Sequence, residues 1–133
     1  MVLYEQMLEL IMMDDTVAKT EMIRFISYNS RGFNADKQKY VQSMLRYCDI
    51  MSLQEHWLAD SQLNTLNALS PDCMSMSVSG FGNNSVLTGR PYGGCAVMWR
   101  KSLSLTASPI TTNSRRISAV LFRFVGVSFM KVT

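Results

Sequence analysis

The 133-residue chain predicts an α/β (α+β) fold built on one mixed sheet with helices on one face. Three observations predict it. An apolar, β-rich stretch at 22–28, an amphipathic helical pattern at 35–47 and a second apolar stretch at 49–54 have the spacing of a β-α-β unit with parallel strands. A second, shorter helical pattern follows, and strand patterns dominate from residue 74 onward. The content, 47% hydrophobic and 17% charged, is that of a globular rather than a disordered chain.

The elements follow in order. Leu3, Met7, Leu10 and Ile11 share a face at helical spacing, so residues 2–13 read as a short helix. Asp14-Asp15-Thr16 ends it and 14–21 reads as a linker. Residues 1–21 are thus assigned to an amino-terminal extension or linker, and 22–133 to the domain. Met22–Tyr28 is the first buried strand. The loop Asn29–Asn34 leads to a helix from about Ala35 to Tyr47, with Asn34 as N-cap. Its apolar stripe is Tyr40, Val41, Met44, Leu45 and Cys48. Asp49–Gln54 is the second strand. Asp60 reads as the cap of a shorter helix carrying Leu63, Leu66 and Leu69, which Pro71 stops. Met74–Ser79 alternates strictly, the mark of a half-buried strand. After a long polar loop from Gly80 to Gly94, strands are expected at Cys95–Arg100, Leu103–Thr106, Ile117–Phe124 and Val125–Val132.

Charge is unevenly placed. Residues 1–72 hold all ten acidic residues and six basic ones, net −4; residues 73–133 hold seven basic residues and no Asp or Glu, net +7. A basic half favours polyanions such as nucleic acid, although scattered charges that only solvate strand faces give the same count. Cys48, Cys73 and Cys95 are odd in number and far apart, with no metal-ligand spacing, so free thiols in a reducing compartment are expected. The apolar run Leu8–Met13 is short and has neither a basic flank nor a cleavage signature. No membrane segment is assigned, and an intracellular, including nuclear, location is expected.

Each chemistry-bearing residue has two readings. Glu55, in Ser52-Leu53-Gln54-Glu55-His56-Trp57-Leu58, stands just past the carboxyl end of a buried strand, where open sheets place ligands. Asn29 holds the matching position after the first strand. The two offer hard oxygens to Mg²⁺, or a strand-end charge and an Asx turn. His56 is the sole histidine and reads as a packing or supporting residue ahead of a general base; Trp57 reads as core. Gly89-Arg90-Pro91-Tyr92-Gly93-Gly94 lets the backbone approach something closely, and Arg90 and Tyr92 suit a phosphate and a base; a glycine-rich strand entry explains the same residues. Arg115-Arg116 suits a phosphate clamp or a solvated strand start.

Taken in series, ISYNSRGF (26–33), IMSLQEHWL (50–58), GRPYGGCAVMWRKSL (89–103) and SRRISAVLF (114–122) resemble the endonuclease/exonuclease/phosphatase superfamily, most of all the endonuclease domain of non-LTR (LINE-type) retrotransposon polyproteins. The resemblance covers about Met22 to Phe124. It implies the amino-terminal half of a four-layer α/β/β/α sandwich and Mg²⁺-dependent hydrolysis of phosphate esters, with Mn²⁺ as the substitute ion. It assigns Glu55 as metal ligand and Asn29 as organiser of metal and phosphate, both catalytic, with Arg31, Arg90, Tyr92 and Arg116 as nucleic-acid contacts. DNA is the implied partner.

The family also uses a Gly-Asp-x-Asn segment and a final Ser-Asp-His segment to activate water. This chain has no Asp or Glu after Asp72 and no His after His56. The expectation is a truncated, partial domain, inactive alone, over 22–133. Without the second sheet of a sandwich, the inner residues of 74–78, 95–99 and 117–124 would face water. Self-association, or a partner supplying the other half, is expected in consequence. The alternative is a non-catalytic nucleic-acid- or protein-binding module using the basic second half.

Overall fold

A computed structural model of the chain describes residues 3–13, 18–81, 91–103, 106–124 and 127–133. Among the described residues, eight strands and two helices follow in the order β1 (Leu3–Met13), β2 (Ala18–Asn29), α1 (Ala35–Leu45), β3 (Ile50–Gln54), α2 (Asn64–Asn67), β4 (Cys73–Val78), β5 (Cys95–Arg100), β6 (Ala107–Ile110), β7 (Ala119–Phe124) and β8 (Val127–Val132). The first sheet has the order β1-β2-β3-β5-β4. It is mixed: β2 and β3 run parallel, and every other pairing is antiparallel. The fold class and the β-α-β unit read from the sequence are both present.

The sequence builds the centre of this sheet from doubly buried strands. In β3, Ile50 to Leu53 are all buried, as are Cys95 to Trp99 in β5. One side of the sheet packs Ile26, Tyr28, Met51, Leu53, Ala96 and Met98 against Val41, Met44 and Leu45 of α1 and against Leu66 and Leu69. Asn34 caps α1 as expected, its side chain accepting from Lys37 N at 3.0 Å. At the other end Arg100 donates to the carbonyls of Cys48 (2.9 Å) and Arg46 (2.8 Å), and its Nε lies 3.4 Å from Asp49. Carbonyls at the end of a helix lack partners within it, so a guanidinium from β5 both satisfies them and fixes the helix on the sheet.

The opposite side of the sheet differs from expectation. Strands β6, β7 and β8 form a separate three-stranded antiparallel sheet. It lies over the first, so that Ile23, Phe25, Ile50, Val97 and Trp99 share one buried cluster with Val120 and Phe122. The inner residues of β5 and β7 expected to face water are therefore covered; Val97, Val120 and Phe122 are fully buried. Two sheets face each other and helices cover one of them.

Three local expectations are corrected. Residues 3–13 form a strand, not a helix, pairing with β2 from Leu3↔Tyr28 to Met13↔Ala18. A lone helix of this length is marginal, whereas a strand here satisfies the open edge of β2. Of the strand expected at 103–106, residues 104 and 105 lie outside the described residues; Leu103 ends a 3-10 turn over Lys101–Leu103, Thr106 folds back with N and Oγ1 both donating to Leu103 O, and the next strand is β6. Asp60 caps no helix: the 3-10 turn Asp60–Gln62 is entered through Ala59, and Asp60 holds Arg115 instead. Among the described residues, no helix is long and apolar enough to cross a membrane.

Candidate functional site

The parallel pair β2 and β3 ends in register, with Asn29 opposite Gln54. Ser30 N donates to Gln54 O at 2.9 Å, and the buried Ser30 hydroxyl reaches the carbonyls of Gln54 and Glu55. Gly32 N donates to Glu55 O at 2.7 Å. The strand ends are therefore locked side by side.

Past Gln54 the chain leaves strand geometry abruptly. Glu55 and Trp57 take left-handed backbone angles, φ +57° and +61°, as does Arg31 at +46°. Each such residue without a glycine's freedom costs about 1–2 kcal/mol, so the surroundings must hold the turn in place. They do so from the facing turn: Trp57 N donates to Gly93 O at 2.9 Å, and His56 N to Gly94 O at 3.4 Å. Between the two kinked residues, His56 is driven inward and completely buried. Its Nδ1 accepts from Leu58 N at 3.0 Å, and its Nε2 lies 3.0 Å from Val78 O. Nδ1 as acceptor fixes a neutral ring with the proton on Nε2. Burial pushes the His56 pKa down, outweighing its contacts with Val78, Cys95 and Glu55. His56 is thus a supporting residue, as its reading from the sequence had it.

Glu55 points the other way, into a cleft of about 410 Å³ that it lines with Gln54, Tyr92, Gly93, Arg115 and Arg116, among others. Its Oε2 accepts from Trp57 Nε1 at 2.9 Å and from Gly93 N at 3.3 Å. Neither donor engages Oε1. The glycine turn does approach something closely, as expected, but that something is His56: a Cβ on Gly94 would stand 2.2 Å from His56 Cε1.

Of the residues singled out from sequence, the structure brings Glu55, Tyr92 and Arg116 to one cleft. Tyr92 is exposed, its ring 5.7 Å from that of Phe81. The Arg116 guanidinium enters no ion pair among the described residues. Asn29 pairs with Gln54 in register and is not among the residues that line the cleft, and its Oδ1 is buried without a hydrogen-bond partner. Arg31 is exposed in the β2–α1 loop and does not line the cleft. Arg90 lies outside the described residues. Sequence reasoning gave Trp57 no role beyond packing and missed the part Arg115 plays: bidentate to Asp60 at 3.1–3.3 Å, it ties the segment after β3 to the β6–β7 loop at the rim. Acid and base 55 residues apart carry no local signal of such a pairing.

The Glu55 carboxylate fits a hard divalent ion. Mg²⁺ takes one or two protein oxygens and keeps several waters, and Glu55, with Oε1 outside the hydrogen bonds from Trp57 and Gly93, offers one such oxygen to the cleft. Among the described residues no group of three or more His, Cys, Asp or Glu comes together, so a closed structural metal cage is not built here.

Residues 26–130 match the sequence model of the Endonuclease/Exonuclease/phosphatase family. The chain belongs to this family. No curated protein and no solved structure gives a match. Members of the endonuclease/exonuclease/phosphatase family are nucleases and phosphatases and generally depend on a divalent metal. The matched span runs from within β2 to within β8, so it takes in strands of both sheets and the cleft lining apart from Thr133.

Proposed function

We propose that this chain carries the metal-anchoring part of a Mg²⁺-dependent endonuclease of the retrotransposon type, acting on DNA. Glu55 and Asn29 hold the ion, Mg²⁺ or Mn²⁺ in its place. Arg116 and Tyr92 receive phosphate and base, with Arg31 and Arg90 extending the contact along the strand. The observation that supports the reading is a single cleft lined by both Glu55 and Arg116. A divalent ion bound there supplies charge stabilisation to a phosphate oxygen and to the leaving oxygen.

The chain's own residues do the rest only in part. Arg116 is placed to neutralise a phosphate. Among the described residues lining the cleft, no Asp, Glu or His side chain besides Glu55 stands ready to take a proton from water. His56 has both ring nitrogens committed. Asp60 is neutralised by Arg115. The segment from Cys73 on holds no carboxylate and no histidine. General-base help contributes about 10²–10⁴-fold in typical enzymes, so the chain by itself binds rather than cuts.

Supercoiled plasmid with Mg²⁺ tests this. The chain alone is expected to leave the plasmid intact while retarding it on a gel. That retardation should fall with salt, and Arg116→Ala should lower the slope of log K against log salt by about one. Mg²⁺-dependent nicking that disappears in Glu55→Ala would show a complete enzyme instead. DNA binding of unchanged salt slope in Arg116→Ala would remove the cleft from the interface and leave the basic half as a general nucleic-acid surface.

A further inference from the structure

The Glu55 carboxylate is not simply exposed to the cleft; it is held. Its Oε2 takes one hydrogen bond from the indole N–H of Trp57 and one from the Gly93 backbone. Donor and acceptor are two residues apart, and both residues are left-handed, with the buried His56 between them. The indole itself is fixed from below: a Cβ at Gly32 would stand 3.0 Å from Trp57 Cε3, so the ring lies flush on the β2–α1 loop. That loop in turn is bonded to Glu55 through Gly32 N.

From this geometry we infer that Trp57 is a positioning residue for the metal-binding carboxylate. It pins Oε2, with Gly93 as second donor, so that Oε1 alone is presented to a divalent ion. The inference rests on the proposed reading of Glu55 as metal ligand. The hydrogen bond is charge-assisted, of the class that fixes orientation as well as adding strength. Partners that orient a ligating group typically contribute 10–100-fold in metal affinity.

The Trp57 indole is its own reporter. The chain has two tryptophans, so a ¹H–¹⁵N spectrum shows two indole N–H resonances. Trp99 pairs with Ile50, about 13 Å along β3 from Gln54, and serves as the internal control. On titration with Mg²⁺ alone, the Trp57 indole and the Gly93 amide should shift together along one isotherm while Trp99 stays in place. Trp57→Phe keeps an aromatic ring at this position and removes the N–H donor; followed through Gly93, its Mg²⁺ affinity should drop 10–100-fold, with the Trp99 resonance unmoved as evidence of an intact fold. Equal affinity in Trp57→Phe overturns the inference and leaves the metal site standing. So does a wild-type titration that saturates at Gly93 with the Trp57 indole unshifted, which decides the matter even if the variant fails to fold. No shift at any resonance in the wild type overturns the metal reading and this inference with it.

Discussion

At the residue scale, three consecutive side chains after β3 are sorted to three fates by two left-handed kinks. Glu55 goes to the cleft, His56 to the core, and Trp57 back onto Glu55. The sequence made the first two legible, because a charge and an imidazole in neighbouring positions past a buried strand separate to opposite sides. It did not make Trp57 legible, since the bond to Glu55 depends on backbone angles that no residue type there announces. Gly94 is the counterpart that makes room. Its φ is +88°, and an added methyl would meet the His56 ring, which is buried and held at both nitrogens. Gly94→Ala should cost about 2–4 kcal/mol, combining left-handed strain with overpacking, and a urea melt measures it. His56 also sets a pH dependence. In the unfolded chain it takes a proton near pH 6.5, and in the folded chain only at lower pH. The unfolded state therefore binds more protons in the window just below 6.5, so stability is lost as pH falls through it. Thermal midpoints should drop between pH 7.5 and 5, and the drop above the carboxylate range should vanish in His56→Gln.

At the element scale, the strands and α1 were legible wherever apolar residues recur at a clear period. The Asn34 cap, the parallel β2–β3 pair and the strands Cys95–Arg100 and 119–124 follow directly from such patterns. What failed is the assignment of partners. The spacing of Leu3, Met7 and Leu10 suits a helix, but the open edge of β2 decides for a strand, and that edge is a tertiary fact. Likewise nothing local says that 107–132 leaves the first sheet to form a second. The consequence is energetic. Phe122, fully buried, meets Trp99 edge-on at 6.1 Å and 82° in the layer between the sheets. Phe122→Ala should therefore cost about 3–5 kcal/mol, read from chemical denaturation. A change under 1 kcal/mol, against that 3–5 kcal/mol scale, would mean that the two sheets are not packed in solution.

At the scale of the whole molecule, the opposite charges of the two halves meet at the cleft. Glu55 and Asp60 come from the acidic first half, Arg115 and Arg116 from the basic second. Charge alone left nucleic acid and plain solvation equally open, and the fold sets Glu55 and Arg116 in the lining of one cleft. The family match supplies the class of chemistry, nuclease or phosphatase with a divalent metal. The proposed reading gives Glu55 one part in it, as an anchor for that metal. Free Mn²⁺, counted by electron paramagnetic resonance during titration into the wild-type chain and into Glu55→Gln, tests this anchor most directly. The account predicts one ion bound per wild-type chain and none in the variant, at matching thermal midpoints. Identical binding curves for the two proteins would contradict it.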